Sequence, residues 1–171
     1  MPQKNKLSLT IQHVDASLAT VLTRPLLRRW VHAALMAPAE LTLRFVGIEE
    51  GCNLNRDYRG KNYATNVLTF AYADDVPTND LEPVRADIVL CNEVLRREAL
   101  EQHKPVLDHA AHLVVHGVLH AQGYDHEDEF DAQEMEAIET KILTKLGMPD
   151  PYLTRSLIAG QSDIDNPPDP G

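Results

Sequence analysis

The spacing of apolar residues along the chain predicts four short β-strands. The strands are expected at residues 7–12, 41–46, 66–72 and 87–91, where apolar residues alternate with polar ones or β-branched and aromatic residues cluster. The fourth segment is apolar enough to be buried on both faces. Residues 73–84, which lie between the third and fourth strands, are rich in Asp, Pro and Asn and are predicted as a loop.

Helical spacing predicts the remaining elements. Helices are expected at 26–36, 52–59, 106–122 and 127–146, and after Asn92, which is expected to cap its helix. Gly123 and Gly147 are expected to end the last two helices. The chain should therefore form a single α+β domain at 1–155, with a small, mostly four-stranded sheet packed with about five helices. Residues 156–171 are predicted to be a disordered acidic, proline-rich tail.

The composition is that of a globular protein, with 43% hydrophobic residues in 171. The apolar runs are too short to span a bilayer, and no secretory signal pattern follows the N-terminus. We therefore expect a cytoplasmic protein without a membrane partner. Cys52 and Cys91 have no metal-binding or redox spacing and are expected to be free thiols.

The net charge of −10 is confined to the C-terminal part of the chain. Residues 1–104 contain 13 Lys and Arg against 13 Asp and Glu, whereas residues 105–171 contain 3 against 13. The balanced part includes several arginines that could form a local basic surface, although for any single residue a solvated helix face is the favoured interpretation. The acidic net charge argues weakly against unassisted binding to nucleic acid.

A histidine cluster at the end of the fourth predicted helix is the main candidate site. His116 and His120 are four residues apart, which places their Cβ atoms about 5–6 Å apart on one helix face. Gly123 can end the helix and let the chain turn back, so that His126 reaches the same ion. Three ligands leave a fourth position for water, as in catalytic zinc sites. The alternative to a metal site is that these three residues are ordinary surface or core histidines.

His112 lies one turn before His116 on the same helix face. One interpretation is that His112 supports the metal ligands or faces the substrate. The other is that it is an ordinary histidine on the helix surface. The spacing of the three candidate ligands is also that of metzincin peptidases, which place Glu directly after the first histidine as general base. Here that position is Gly117. Hydrolysis of a phosphodiester is therefore favoured over peptide hydrolysis, provided that a cationic group meets the phosphate.

The string His-Gly-Val-Leu-His-Ala-Gln-Gly-Tyr-Asp-His at 116–126 resembles the signature of the YbeY family of bacterial metal-dependent endoribonucleases. Four further segments are similar to that family in the same order: 54–61 with 65–70, 86–91, 135–139 and 150–152. The resemblance implies that the metal ligands are His116, His120 and His126. It also implies that Arg59 corresponds to an arginine that is critical for the function of the family. Asn62, Ala64 and Ala86 depart from the usual Asp, Pro and Gly, which affects loop geometry and leaves the ligand set intact.

The resemblance implies a single-strand-specific endoribonuclease that matures the 3′ end of small-subunit ribosomal RNA and serves ribosome quality control. Its implied partners are ribosomal RNA, small-subunit proteins and assembly GTPases, and its implied fold is zincin-like with the metal-site helix in the centre. One zinc ion is expected per chain, although three imidazoles also suit nickel or another divalent metal. Arg59 would stabilise charge at the phosphate, with Lys61 and His112 as further substrate contacts; an alternative for Arg59 is a salt bridge with Asp57 or Glu49. A non-catalytic assembly factor and a metallopeptidase remain alternative functions.

Overall fold

The structure is a computed structural model that describes residues 6–61, 63–71, 83–123 and 129–152, without the side chains of residues 129–131. A mixed α+β arrangement is confirmed. Its elements are β1 (Leu7–His13), a 3-10 turn (Ala16–Leu18), α1 (Arg24–Ala34), β2 (Ala39–Val46), α2 (Ile48–Arg59), β3 (Val67–Ala71), β4 (Val84–Cys91), α3 (Asn92–Glu101), α4 (Val106–Ala121) and α5 (Glu129–Lys145).

The four strands form one mixed sheet in the order β1-β2-β4-β3. β1 pairs with β2, and β2 with β4, in parallel, whereas β3 pairs antiparallel with β4 and lies at the edge of the sheet. The central residues of β4, Ile88 to Leu90, are buried as predicted for a strand covered on both faces. Among the described residues, β3 therefore forms one edge of the sheet, beside the helices that cover it.

The main hydrophobic core lies on one face of the sheet, beneath α1 and α4. It joins Leu41 and Leu43 of β2 and Ile88 of β4 to Trp30 of α1 and Leu119 of α4. The opposite face carries a smaller cluster formed by Val46, Leu68 and Val89, against which Leu54 of α2 and Phe70 of β3 pack. Helices α2 and α4 consequently lie on opposite faces of the sheet.

Helix α4 is the central helix of the domain. Ten of its residues are buried: His109, Ala110, Ala111, Leu113, Val114, Val115, Gly117, Val118, Leu119 and Ala121. Its neighbour α5 contributes the predicted apolar stripe, with Met135, Ile142 and Leu143 buried and Ile138 packed against the core. The position of the histidine-bearing helix in the middle of the fold is therefore as expected, and the zincin-like comparison stays a prediction.

Two element boundaries differ from the prediction by three or more residues. Helix α2 begins at Ile48, one turn earlier than expected, with Glu49 and Glu50 in its first turn. These carboxylates interact favourably with the positive end of the helix dipole. Strand β4 begins at Val84, inside the predicted loop, because the Val84 amide donates to the carbonyl of Pro38 at 2.9 Å and extends the ladder with β2.

The predicted capping role of Asn92 is wrong. Cys91 occupies the N-cap position of α3, and no side chain caps this helix. Asn92 is instead fully buried, and its Nδ2 donates to the carbonyl of Asp15 at 3.0 Å. Asp15 in turn accepts a hydrogen bond from the amide of Ser17 at 2.9 Å and so caps the 3-10 turn. The asparagine thus ties α3 to the segment after β1.

Other expectations are confirmed. Gly123 and Gly147 follow α4 and α5 with φ angles of 101° and 85°, a conformation in which glycine is favoured. Cys52 and Cys91 are free thiols. Within the part of the chain that the structure describes, no helix combines the length and apolar character needed to cross a membrane.

Candidate metal centre

Four histidines form a row along one side of α4. Ring centroids are 6.2 Å apart between His109 and His112, 6.4 Å between His112 and His116, and 4.6 Å between His116 and His120. The last two rings are inclined by 72° to each other. Both are only partly buried, so two imidazoles converge at the accessible end of the row, as the four-residue spacing predicts.

His126 lies outside the described residues, as does the rest of 124–128. Among the described residues, no group of three or more His, Cys, Asp or Glu side chains is placed to hold a metal ion. The structure therefore places two of the three predicted ligands together on α4. The chemistry of this pair, two imidazoles at the partly exposed end of a buried helix, fits a nitrogen-bound metal such as zinc.

A buried carboxylate lies directly behind the pair. Glu139 of α5 is 0% exposed, and its Oε2 accepts a hydrogen bond from Nδ1 of His116 at 2.5 Å. Its Oε1 accepts from Nε2 of His112 at 3.0 Å and also from the hydroxyl of Tyr152. Both oxygens of this carboxylate are thus used within the protein.

The charge of Glu139 follows from these partners. Burial alone would raise the pKa of Glu139, but the hydrogen bonds from His112 and His116 outweigh burial and hold the pKa at about 2. Burial also lowers the pKa of His112, and the Glu139 carboxylate offsets only part of this effect. At neutral pH the cluster therefore contains a carboxylate and a neutral imidazole at His112.

His112 is not on the helix surface, since its side chain is only 14% exposed. It packs edge-on against the ring of Tyr152, with centroids 5.4 Å apart. His109, one turn earlier, is 3% exposed and pairs through Nε2 with Oε1 of Glu98 at 2.8 Å. Three histidines of the row thus pair with carboxylates from neighbouring helices: His109 with Glu98 of α3, and His112 and His116 with Glu139 of α5.

Arg59 and Lys61 lie at the end of α2 and just after it. Both are exposed, and Gly60 ends the helix with φ 69°. Among the described residues, Arg59 forms no ion pair, and Asp57 lies 3.6 Å from Arg56 instead. The structure thus gives no support to the predicted alternative of a salt bridge with Asp57 or Glu49.

The end of α2, which carries Arg59, lies beside β3. Tyr58, which precedes it, is 67% exposed and packs on Phe70 of β3 with ring centroids 4.4 Å apart. The opposite face of β3 meets α4, where the Thr69 hydroxyl donates to the carbonyl of Gly117 at 3.4 Å. The edge strand β3 therefore contacts the end of α2 on one face and the histidine-bearing helix α4 on the other.

A family model described as Endoribonuclease YbeY matches residues 3–147 of the chain. The chain belongs to the YbeY family. This family is generally metal-dependent. A relative named Endoribonuclease YbeY from Janthinobacterium sp. (strain Marseille) is 62% identical over 153 residues, covering 90% of this chain and 99% of the relative.

A second relative of the same name, from Herminiimonas arsenicoxydans, is 60% identical over 153 residues and covers 88% and 98% of the two chains. A solution structure of a Thermotoga maritima protein covers 94% of this chain and 99% of its own, with 21% identity and a TM-score of 0.49. The names of the relatives give no support to the assembly-factor and peptidase alternatives.

Sequence reasoning missed Glu139 and Tyr152 as parts of the site. Both lie in segments that carry the YbeY resemblance, but neither was singled out for a role. A signal was present for Glu139, because it occupies the apolar stripe of α5 between Met135 and Ile142. A carboxylate at a core position needs a partner, and the histidine row supplies it.

Proposed function

We propose that this protein is a metal-dependent, single-strand-specific endoribonuclease, and that His116, His120 and His126 hold its metal ion. The observation that carries the proposal is the convergence of His116 and His120 at 4.6 Å between ring centroids, in a chain of the YbeY family. A metal bound there would lower the pKa of water to about 7 and polarise the phosphodiester. Zinc is the proposed ion, with nickel as the nearest competitor.

The protein's own residues would bind the substrate on both sides of the edge strand. Arg59 offers a planar guanidinium that can bind a phosphate through two hydrogen bonds, and Lys61 adds a second positive charge. The exposed ring of Tyr58 beside them can stack on an unpaired base. A single strand that crosses β3 could contact this basic end of α2 and reach the histidine row on the other face.

Peptide hydrolysis is disfavoured by the packing of Gly117. A Cβ atom at this position would lie 2.7 Å from Cγ2 of Ile88, so the residue after the first histidine faces the sheet. A glutamate there would collide with β4 and would not face the reacting group. The general base that metzincin peptidases place at this position has no room here.

The cellular role that we propose follows the family: maturation of the 3′ end of small-subunit ribosomal RNA and quality control of ribosomes, in the cytoplasm. Ribosomal RNA would be the substrate, and small-subunit proteins and assembly GTPases would be partners. The charge of −10 supports assisted delivery, since the acidic surface repels free RNA. His112, held by Glu139 and Tyr152, would act on the substrate only indirectly.

The proposal is tested by replacing Arg59 with lysine in the metal-loaded protein. Arg59→Lys keeps the positive charge but cannot form two parallel hydrogen bonds to a phosphate. We therefore expect the rate of cleavage of single-stranded RNA to fall about 10²–10³-fold, with metal content unchanged. Arg56→Lys is the matched control, because Arg56 lies on the same helix and is also exposed. Cleavage at the wild-type rate by Arg59→Lys would show that the phosphate is met by Lys61, Arg56 or the metal alone.

A further inference from the structure

Glu139 is anomalous for its position. It is the one fully buried acidic side chain among the described residues, and it lies in the stripe of α5 that otherwise packs apolar groups against α4. A buried carboxylate loses its favourable hydration, and well-packed hydrophobic residues often stabilise such positions equally well or better. Packing alone therefore gives no reason for a carboxylate here.

The hydrogen bonds of Glu139 give the reason. Nδ1 of His116 lies 2.5 Å from Oε2, and a carboxylate can only accept, so Nδ1 carries the proton. The lone pair of His116 is then on Nε2. The ring orientation is fixed as well, because the carboxylate is itself held through Oε1 by His112 and Tyr152.

We propose that Glu139 is a positioning residue for the metal site, which sets the Nδ1-protonated tautomer of His116 so that Nε2 binds the ion. This inference rests on the proposed metal site. A carboxylate that accepts a hydrogen bond from a ligand histidine also makes the other ring nitrogen a better donor. His112 and Tyr152 keep the carboxylate in place and do not themselves bind the ion.

The test compares two carboxylates that pair with histidines of the same helix. Glu139→Gln keeps the shape of the side chain but removes its charge, and we expect zinc affinity, measured by competition with a chelator, to fall about 10–100-fold. The control is Glu98→Gln, which removes the carboxylate that holds His109 at 2.8 Å. It disturbs a similar pair away from His116 and should leave zinc affinity unchanged.

A direct measurement in the unmodified zinc-loaded protein needs no variant to fold. The ¹⁵N spectrum of the imidazoles should show His116 protonated at Nδ1 and bound to zinc through Nε2. Binding through Nδ1 would overturn the proposal, and so would a folded Glu139→Gln protein with wild-type zinc affinity. If the wild-type chain binds no zinc or other metal, the proposed metal site fails first, and the outcome is distinct from a failure of Glu139 alone.

Discussion

Gly117→Ala tests whether the close approach of α4 to the sheet governs stability. Alanine is favoured over glycine inside a helix by about 1 kcal/mol, so propensity alone predicts stabilisation. The added Cβ, however, would lie 2.7 Å from Cγ2 of Ile88 and 3.4 Å from Cγ2 of Val67. Ile88 is fully buried in β4, and its Cγ2 is attached at the branch point, so it cannot swing away.

Overpacking of a dense core costs about 1–3 kcal/mol, which exceeds the gain from helix propensity. We therefore expect Gly117→Ala to lower the free energy of unfolding by about 1 kcal/mol, measured by urea denaturation. Gly51→Ala in α2 is the matched control, since its Cβ would meet Cys91 at 3.4 Å, close to ordinary contact. It should be neutral or stabilising by about the propensity gain.

The cause of the loss can be isolated in an Ile88→Ala background, which removes the clashing methyl. There the cost of Gly117→Ala should disappear, since residues in contact do not contribute additively. If Gly117→Ala stabilises the protein as much as Gly51→Ala does, helix propensity dominates and the close approach has no energetic consequence. In that case, packing against Ile88 would not exclude a glutamate at position 117.

Two further predictions concern stability. Burial would raise the pKa of Glu98, but hydrogen bonds from His109 and Asn66 outweigh it and hold the pKa below its usual value. The stabilisation from this pair is therefore present above the ordinary glutamate pKa and is lost as pH falls through the lowered value. As pH falls from about 5 to 3, the free energy of unfolding by urea should therefore decrease less in Glu98→Gln than in the wild type. The same pH dependence in both proteins would contradict this. Truncation before Ser156 should leave the melting temperature unchanged, because the composition of that segment cannot bury a core; a large drop would show that it packs.

The sequence alone was sufficient to predict the strands and helices that have a strong hydrophobic periodicity. The apolar run at 87–91 and the stripe at Met135, Ile138, Ile142 and Leu143 led to the correct strand and helix. The early start of α2 was missed because its first turn is polar and is stabilised by the helix dipole. The role of Asn92 was misassigned because its partner, Asp15, is distant in sequence.

The candidate site was likewise predictable from the sequence only in part. The pairing of His116 and His120 follows from helix geometry alone. The partnership of His116 with Glu139 depends on how α5 packs on α4, and no local pattern encodes it. The contact of β3 with the end of α2 on one face and with α4 on the other likewise emerges only from tertiary packing. Tertiary packing decides both, so neither could be predicted from local sequence patterns.

The metal content of the purified protein and of its three histidine variants tests the central claim most directly. We predict one metal ion per chain, most of it zinc, in the wild type. His116→Ala, His120→Ala and His126→Ala should each lose most of that metal, since two remaining imidazoles bind too weakly to survive purification. Stoichiometric metal retained by two of the three variants would contradict the three-histidine site.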